Sequence, residues 1–436
     1  MSTVWMVLLV LIVTALLWWG GCSVGKDNGA NPQEPEEEQG VYYVSPGGND
    51  ADSGEPGAPW RTVQQALNTL QPGEKVVIRA GIYAEALYMN RSGSEGRKIY
   101  IEGVSAETVI LDGSGVERDL FFLEGCRYVE ISGVTLRRAP RAGLRLSDSH
   151  HIDIHHCRFA DNGRWGLFSD FSDDTTVRDC DVYGSGEEHG IYISNSSDRA
   201  VIAGNTVHHN YACGIQINAD PSMGGDGISS DCLVENNIVY ENGRGGGAAI
   251  NLSSVRDSLI QNNMIYKNYA GGIAAWDDDQ GSQWGSQNLT IIHNTVYFRP
   301  AEGRWAVSLK NGSSGAGLYN NILVGGRRGG FEFNSGCLAG IELDYNIYFR
   351  AGSGLPVSDE DDREYTLSQW QARGYDLHSM TVSAQDLFMN IPGGDFHLRH
   401  LCRAVDGGAD RNLAYDFEGD TRPKGAGPDI GADERE

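Results

Sequence analysis

Gly190-Ile-Tyr-Ile-Ser194, Gly214-Ile-Gln-Ile-Asn218, Ala249-Ile-Asn-Leu-Ser253 and Gly272-Ile-Ala-Ala-Trp276 share one pattern, a small residue followed by apolar–x–apolar. Outward from this stretch, the first apolar position of the pattern falls at Leu144, Leu167, Ile191, Ile215, Ile250, Ile273, Val307 and Phe331. The successive steps are 23, 24, 24, 35, 23, 34 and 24 residues. Five agree within one residue, and each long step exceeds them by about one ten-residue loop. Short alternating strands at this period, in a chain with 58 glycines, predict a parallel β-solenoid.

Asparagine supplies an independent register. Asn205, Asn237, Asn263, Asn294, Asn321 and Asn346 step by 32, 26, 31, 27 and 25 residues, each beside an apolar–x–apolar strand. Stacked asparagines can satisfy the backbone groups that tight turns leave unpaired. Asn162, Asn210, Asn242 and Asn268 mark a second corner. Cys157 and Cys180 stand one period apart and are expected to stack as small apolar residues. With Cys22 set aside, seven cysteines remain, without CxxC or C-x-H spacing. That pattern argues against a disulfide framework or a zinc site.

Alternation sends apolar residues inward and the intervening ones outward. The middle outward column is Arg145, Phe168, Tyr192, Gln216, Asn251, Ala274, Ser308 and Glu332. The last is Ser147, Asp170, Ser194, Asn218, Ser253, Trp276, Lys310 and Asn334. This polar and aromatic face suits a long hydroxyl-rich polymer. The net charge of −25, from 34 basic and 59 acidic residues, excludes a nucleic-acid groove, which needs a basic stripe. An anionic ligand would need a local basic patch or a bridging cation.

Residues 4–19 are almost wholly apolar and lead to Gly20-Gly21-Cys22. The stretch resembles a bacterial lipoprotein signal, with Cys22 lipidated after cleavage. It departs from that pattern in having no Lys or Arg before the apolar run and in carrying Trp19 three residues before the cysteine. The expected organisation is a signal over 1–22, a disordered tether over 23–40, a β-helix with an N-terminal cap over 41–350, and a C-terminal capping segment over 351–436. Trp60 to Leu70 reads as a short amphipathic helix closing the open end of the solenoid. Strands are expected at Lys75–Arg79, Lys98–Glu102 and Asp119–Leu123.

Tyr42-Tyr-Val-Ser-Pro-Gly-Gly-Asn-Asp50, followed by Ala58-Pro-Trp-Arg-Thr62, resembles the N-terminal cap of the pectate-lyase-like superfamily of parallel β-helix proteins. The coils over 190–323 resemble exported bacterial β-helix repeat proteins, and Asp416-Phe-Glu-Gly-Asp-Thr-Arg422 with Asp429-Ile-Gly-Ala-Asp-Glu434 resembles their tail. The resemblance implies an all-β, right-handed, single-stranded parallel β-helix. It also implies an exported, membrane-anchored protein in the periplasm or at the cell surface. The superfamily contains lyases, hydrolases, epimerases and non-catalytic binders, so the fold alone does not choose the chemistry.

Two constellations carry candidate chemistry. The first places Glu187, Glu188 and His189 before Tyr192, with Gln216, Asn218, Asp220 and Asp226 one rung on. Here His189 is a candidate acid or base with Glu188 beside it, and Asp220 and Asp226 are candidate calcium ligands. The second joins Trp276, Asp277, Asp278 and Asp279 to Lys310, with Arg304 and Trp305 nearby. Acids for a cation, a lysine base and an aromatic platform suit β-elimination from a uronate. Arg145, Tyr192, Gln216, Asn218, Asn251, Trp276 and Arg304 are the candidate substrate contacts. A basic cluster of Arg137, Arg138, Arg141 and Arg145 could bind carboxylates or sulfates. His189 and Lys310 lie four rungs apart, roughly 19 Å, too far for one acid–base pair. The Asp-Pro-His-type motif of β-helix mannuronan epimerases is absent.

The leading reading is a lipid-anchored monomeric enzyme that cuts an acidic polysaccharide by β-elimination, with calcium as cofactor. The alternatives are a non-catalytic carbohydrate-binding or surface-structural β-helix, and a glycoside hydrolase pairing Glu187 or Glu188 with Asp220.

Overall fold

A computed structural model describes residues 40–334, 336–350, 356–359 and 361–435. The expected signal, Cys22 and the tether up to residue 39 lie outside them. Three sheets of twelve strands each wind around one apolar core. One coil runs His150–His155 in the first sheet, Arg158–Ala160 in the third and Trp165–Asp170 in the second. The next coil begins at Thr175–Arg178, paired in parallel with the first strand of its predecessor. The solenoid follows from the period: each coil buries only two or three aliphatic side chains per strand, so the neighbouring coil completes its core.

The register on the second sheet is the one the period predicts. Leu144 pairs with Leu167, Leu167 with Ile191, Ile191 with Ile215, Ile215 with Ile250, and Ile250 with Ile273. Ile273 then pairs with Val307 and Val307 with Phe331. All eight are fully buried. The asparagine column is continuous: each side chain from Asn205 to Asn321 donates through Nδ2 to Oδ1 of the next at 2.9–3.1 Å. Each Oδ1 also accepts the backbone N–H of the rung before. The residues just ahead of the ladder, Gly204, Asn236, Asn262, His293, Asn320 and Tyr345, adopt left-handed backbone. The turn is thus tight enough to strand N–H groups that the ladder then satisfies.

The second column holds at Asn210, Asn242 and Asn268, while Ser185 occupies the rung between Asn162 and Asn210. Cys157 and Cys180 stack as expected, and the seven described cysteines are free. A third ladder, not anticipated, runs through Ser149, Ser172, Ser197 and Ser229, each hydroxyl accepting the backbone N–H of the preceding rung.

The N-terminal helix is shorter than its apolar spacing predicts, Val63–Thr69. Trp60 is drawn instead into a bridge with Val44. Thr62 caps the helix at Gln65 N–H, and the Glu85 carboxylate accepts from Val63 and Gln64 N–H. The expected strands are present as Lys75–Ile78, Ile99–Gly103 and Phe121–Glu124.

Past residue 350 the coil continues. Val357–Ser358 pairs with the strand at Phe331 and Met380–Thr381 with the strand at Ile347. Trp370 closes the core end against Phe333 and Tyr375. The tail beyond covers a side of the solenoid. Phe388, Phe396, Leu398, Ala404, Ile430 and Ala432 pack on Met264, Tyr297, Ile322 and Val324 of the third sheet. Arg422, buried within the tail, pairs with Glu434 at 3.1 Å and donates to the carbonyls of Asp429, Gly431 and Ala432.

Candidate functional site

The outward face of the second sheet divides into two halves. In its N-terminal half the side chains satisfy one another. Arg145 lies between the rings of Phe122 and Phe168 and pairs with Asp119 and Asp170 at 3.6 and 3.3 Å. Trp165 stacks on Phe168 with ring centroids 4.5 Å apart, under the guanidinium groups of Arg141 and Arg164. Glu188 Oε2 accepts Trp165 Nε1–H at 2.7 Å, and its Oε1 accepts Arg164 Nε–H at 2.8 Å. Both oxygens are thereby committed to holding this cluster. His189 packs, largely covered, against Tyr192, its Nδ1 accepting the Cys213 N–H at 3.1 Å. Burial pushes its imidazole down to about 4, so the ring is neutral at pH 7. Arg137 and Arg138 bond to Asp112 on the third sheet and do not join Arg141 and Arg145.

The C-terminal half is open. A cleft of about 750 Å³ lies over the second sheet, lined by Asn251, Trp276, Trp305, Ser308, Lys310 and Glu332 along its floor. Arg304, Arg327 and Arg328 also line it, together with Asp362 and Glu364. Lys310 Nζ lies 2.9 Å from Glu332 Oε2, which also accepts the Ser308 hydroxyl at 2.6 Å. Arg304, Arg327 and Arg328 are exposed and form no ion pair among the described residues. Four of the residues singled out in the sequence, Asn251, Trp276, Arg304 and Lys310, therefore meet in one cleft.

One rim of the sheet is built by the two long steps, residues 219–228 and 277–285. They touch. Asn218 Nδ2 donates to Asp278 Oδ2 at 3.0 Å, joining the two constellations. Gly227, at φ +73°, lies so near Trp284 that a Cβ would stand 2.9 Å from its ring. Beneath this wall, Asn218 Oδ1, Ser253 Oγ and Trp276 Nε1 are buried without a protein partner among the described residues. Gln216 Oε1 accepts the Asn251 amide at 2.8 Å.

The five candidate metal ligands do not converge. Asp220 caps the Ser222 N–H and Asp226 accepts from Ile228 N–H. Buried Asp277 accepts from Asp279 N–H, Gly281 N–H and Asn311 Nδ2. Asp278 holds Asn218, and Asp279 is exposed. Calcium takes six to eight oxygens around one point; each of these side chains instead shapes its own loop. Among the described residues, three possible ligands come together at Glu130, Asp153 and His155, and at His397, Glu418 and Asp433.

Sequence reasoning missed Arg327 and Arg328. The signal was present: the step from Val307 to Phe331 is 24 residues, and the same step from Arg304 reaches Arg328. Applied at the other end, that period also places Arg164 beside Glu188.

Comparison with known proteins agrees with this architecture. The model of the Pel9A-like right-handed β-helix region matches residues 42–185. The crystal structure of pectate lyase Pel9A superposes with a TM-score of 0.61 at 17% identity, covering 91% of this chain and 96% of that one. The fold is a right-handed parallel β-helix like that of pectate lyase Pel9A. XylC in complex with xylose shares it, with a TM-score of 0.54 at 10% identity over 90% of this chain and 99% of XylC. In sequence, the uncharacterized protein YwoF of Bacillus subtilis (strain 168) is 26% identical over 450 residues, 83% of this chain and 92% of YwoF. Pectate lyase L of Dickeya dadantii (strain 3937) is 25% identical over 140 residues, 29% of this chain and 33% of that enzyme. The similarity to pectate lyase L thus spans about a third of that enzyme's length.

Proposed function

We propose that the chain is an exported polysaccharide lyase, and that its cleft holds an anionic, uronate-containing chain and cuts it by β-elimination. The observation that carries this reading is the gathering of Arg304, Lys310, Arg327 and Arg328 around one cleft in a protein of net charge −25. Unpaired guanidinium groups are suited to carboxylates, which they bind through two parallel hydrogen bonds. Trp276 and Trp305 offer apolar surface to sugar rings.

Neutralising a uronate carboxylate acidifies the adjacent C–H, because the negative charge that develops on proton removal is stabilised where it forms. Lys310 is the proposed base: in its neutral form the amine takes that proton, the electron pair forms the carbon–carbon double bond, and the glycosidic oxygen at the β position leaves, taking a proton from water. Glu332 and Ser308 hold the amine at the cleft floor. The fold of pectate lyase Pel9A and the sequence similarity to pectate lyase L support the same class of reaction.

The test is incubation of the purified chain with de-esterified polygalacturonate, alginate and xylan. The readouts are the ultraviolet absorbance of the unsaturated product and the appearance of reducing ends. Unsaturated ends from an acidic polymer, lost in Lys310→Ala, are the expected result. Reducing ends without unsaturation would assign a hydrolase. Binding without any product would assign a carbohydrate-binding role.

A further inference from the structure

Among the described residues, two clusters bring ligand atoms of a histidine and two carboxylates within 4.8 Å of one another, and they differ in the cations bonded to them. At Glu130, Asp153 and His155 the chain supplies its own cation. Lys98 Nζ stands 3.1 Å from Glu130 and 3.5 Å from Asp153, with Arg178 also beside Asp153. At His397, Glu418 and Asp433 no lysine or arginine forms an ion pair with either carboxylate among the described residues.

The second cluster is arranged around a point. Asp395 Oδ1 lies 2.6 Å from His397 Nδ1 and also accepts the His397 backbone N–H. This fixes the ring and directs Nε2 toward Glu418 Oε2, 3.0 Å away. A carboxylate on the far ring nitrogen is the arrangement that orients metal-bound histidines and makes them more basic. Asp433, only 4% exposed, has the Leu398 N–H as its hydrogen-bond donor. Buried carboxylates are stabilised by paired charge or by a metal; among the described residues no lysine or arginine is hydrogen-bonded to Asp433, while Lys424 and Arg435 line the pocket beside it. Ligand atoms of the three residues lie within 4.8 Å of one another, beside a pocket of about 520 Å³ that leaves further positions open to water.

We propose that His397 Nε2, Glu418 and Asp433 bind a divalent transition-metal ion of the zinc class, whose preference for imidazole and carboxylate donors matches this set. Asp395 is the positioning residue. The three ligands come from the strand Asp395–Leu398, the turn after Asp416 and the terminal segment. The ion would therefore clasp these three segments of the tail to one another. The site lies on the tail, apart from the cleft, and its fate is independent of whether the cleft is catalytic.

The test uses the untagged full chain stripped with chelator, then titrated with Zn2+ or Co2+ alone. The expected result is one ion per chain, a higher unfolding temperature, slower proteolysis of the tail, and a visible Co2+ spectrum distinct from the aquo ion. His397→Gln and Glu418→Gln, both at partly exposed positions, should abolish the spectrum. Asp395→Asn should weaken binding by about tenfold. His155→Gln should change nothing, and circular dichroism verifies that each variant is folded. A stripped protein that takes up no Co2+, or a His397→Gln protein that binds as the native one does, would overturn the site.

Discussion

The two halves of the second sheet's outer face use the same residue types to opposite ends. Around Trp165, arginine, aromatic and carboxylate side chains pair with one another: Arg164 with Glu188, Arg145 with Asp119 and Asp170. Around Trp305, Arg304, Arg327 and Arg328 form no ion pair among the described residues, although Asp362 and Glu364 line the same cleft over the sheet. Residue type alone therefore does not locate a site on this scaffold. What separates a binding surface from a self-satisfied one is whether the neighbouring rung supplies the counter-charge. At the first half it does, one period away; at the second, the arginines on successive rungs pair with no carboxylate among the described residues.

Four predictions can break or sharpen this contrast. Lys310→Ala has the largest expected effect, a loss of about 10³-fold in kcat on an acidic polysaccharide, the scale of a general base. Arg145→Ala, in the paired half, should leave turnover unchanged; equal losses in both would erase the distinction. The double variant Arg304→Ala/Arg328→Ala comes next. Loss of two charge-assisted contacts should weaken oligouronate binding by on the order of 10²-fold, read by calorimetry, with folding stability unaltered.

The third concerns acid stability. Burial holds His189 at about 4 in the native state, below the ordinary histidine value near 6.5. As pH falls from about 6.5 to 4, the unfolded chain takes up the proton first, so the native state loses stability on acidification and is unaffected above that window. Between pH 7 and 5 this should cost about 2 kcal/mol. His189→Gln should flatten the dependence in urea titrations at the two pH values. Buried Asp376, raised to about 6 by desolvation, acts in the opposite sense and remains in both proteins, so the difference between them isolates His189. The smallest effect belongs to Arg164→Ala, about 1 kcal/mol of stability, since the pair with Glu188 is partly exposed, with ligand affinity unchanged.

The coil was legible because inward residues repeat with little variation and asparagine is distinctive in the turn. The serine ladder was not, since serine is frequent enough that Ser149, Ser172, Ser197 and Ser229 do not stand out without the turn geometry. The coils past residue 350 were hidden by two-residue strands, Val357–Ser358 and Met380–Thr381, too short to show alternation. At the site, strand positions such as Trp276 and Lys310 could be read off the period. The fate of Glu188 lay within the same period, since Arg164 stands 24 residues before it, but it was hidden from a reading of strands because Arg164 sits in a turn and Trp165 at a strand start. For the same reason Arg327 and Arg328, which lie in a turn, escaped a reading based on strands.

The asparagine column also has a mechanical consequence. Each amide grips only the coils on either side of its own, so a pull on the chain ends loads the rungs in series. The solenoid should peel from one end, releasing one turn per rupture event. An ordinary turn of 24 residues adds about 8 nm of contour length. The turns that carry the wall loops, at 35 and 34 residues, add about 12 nm. A single-molecule extension trace would thus carry the spacing of the sequence repeat as a ruler, with its two long intervals marking the loops beside the cleft.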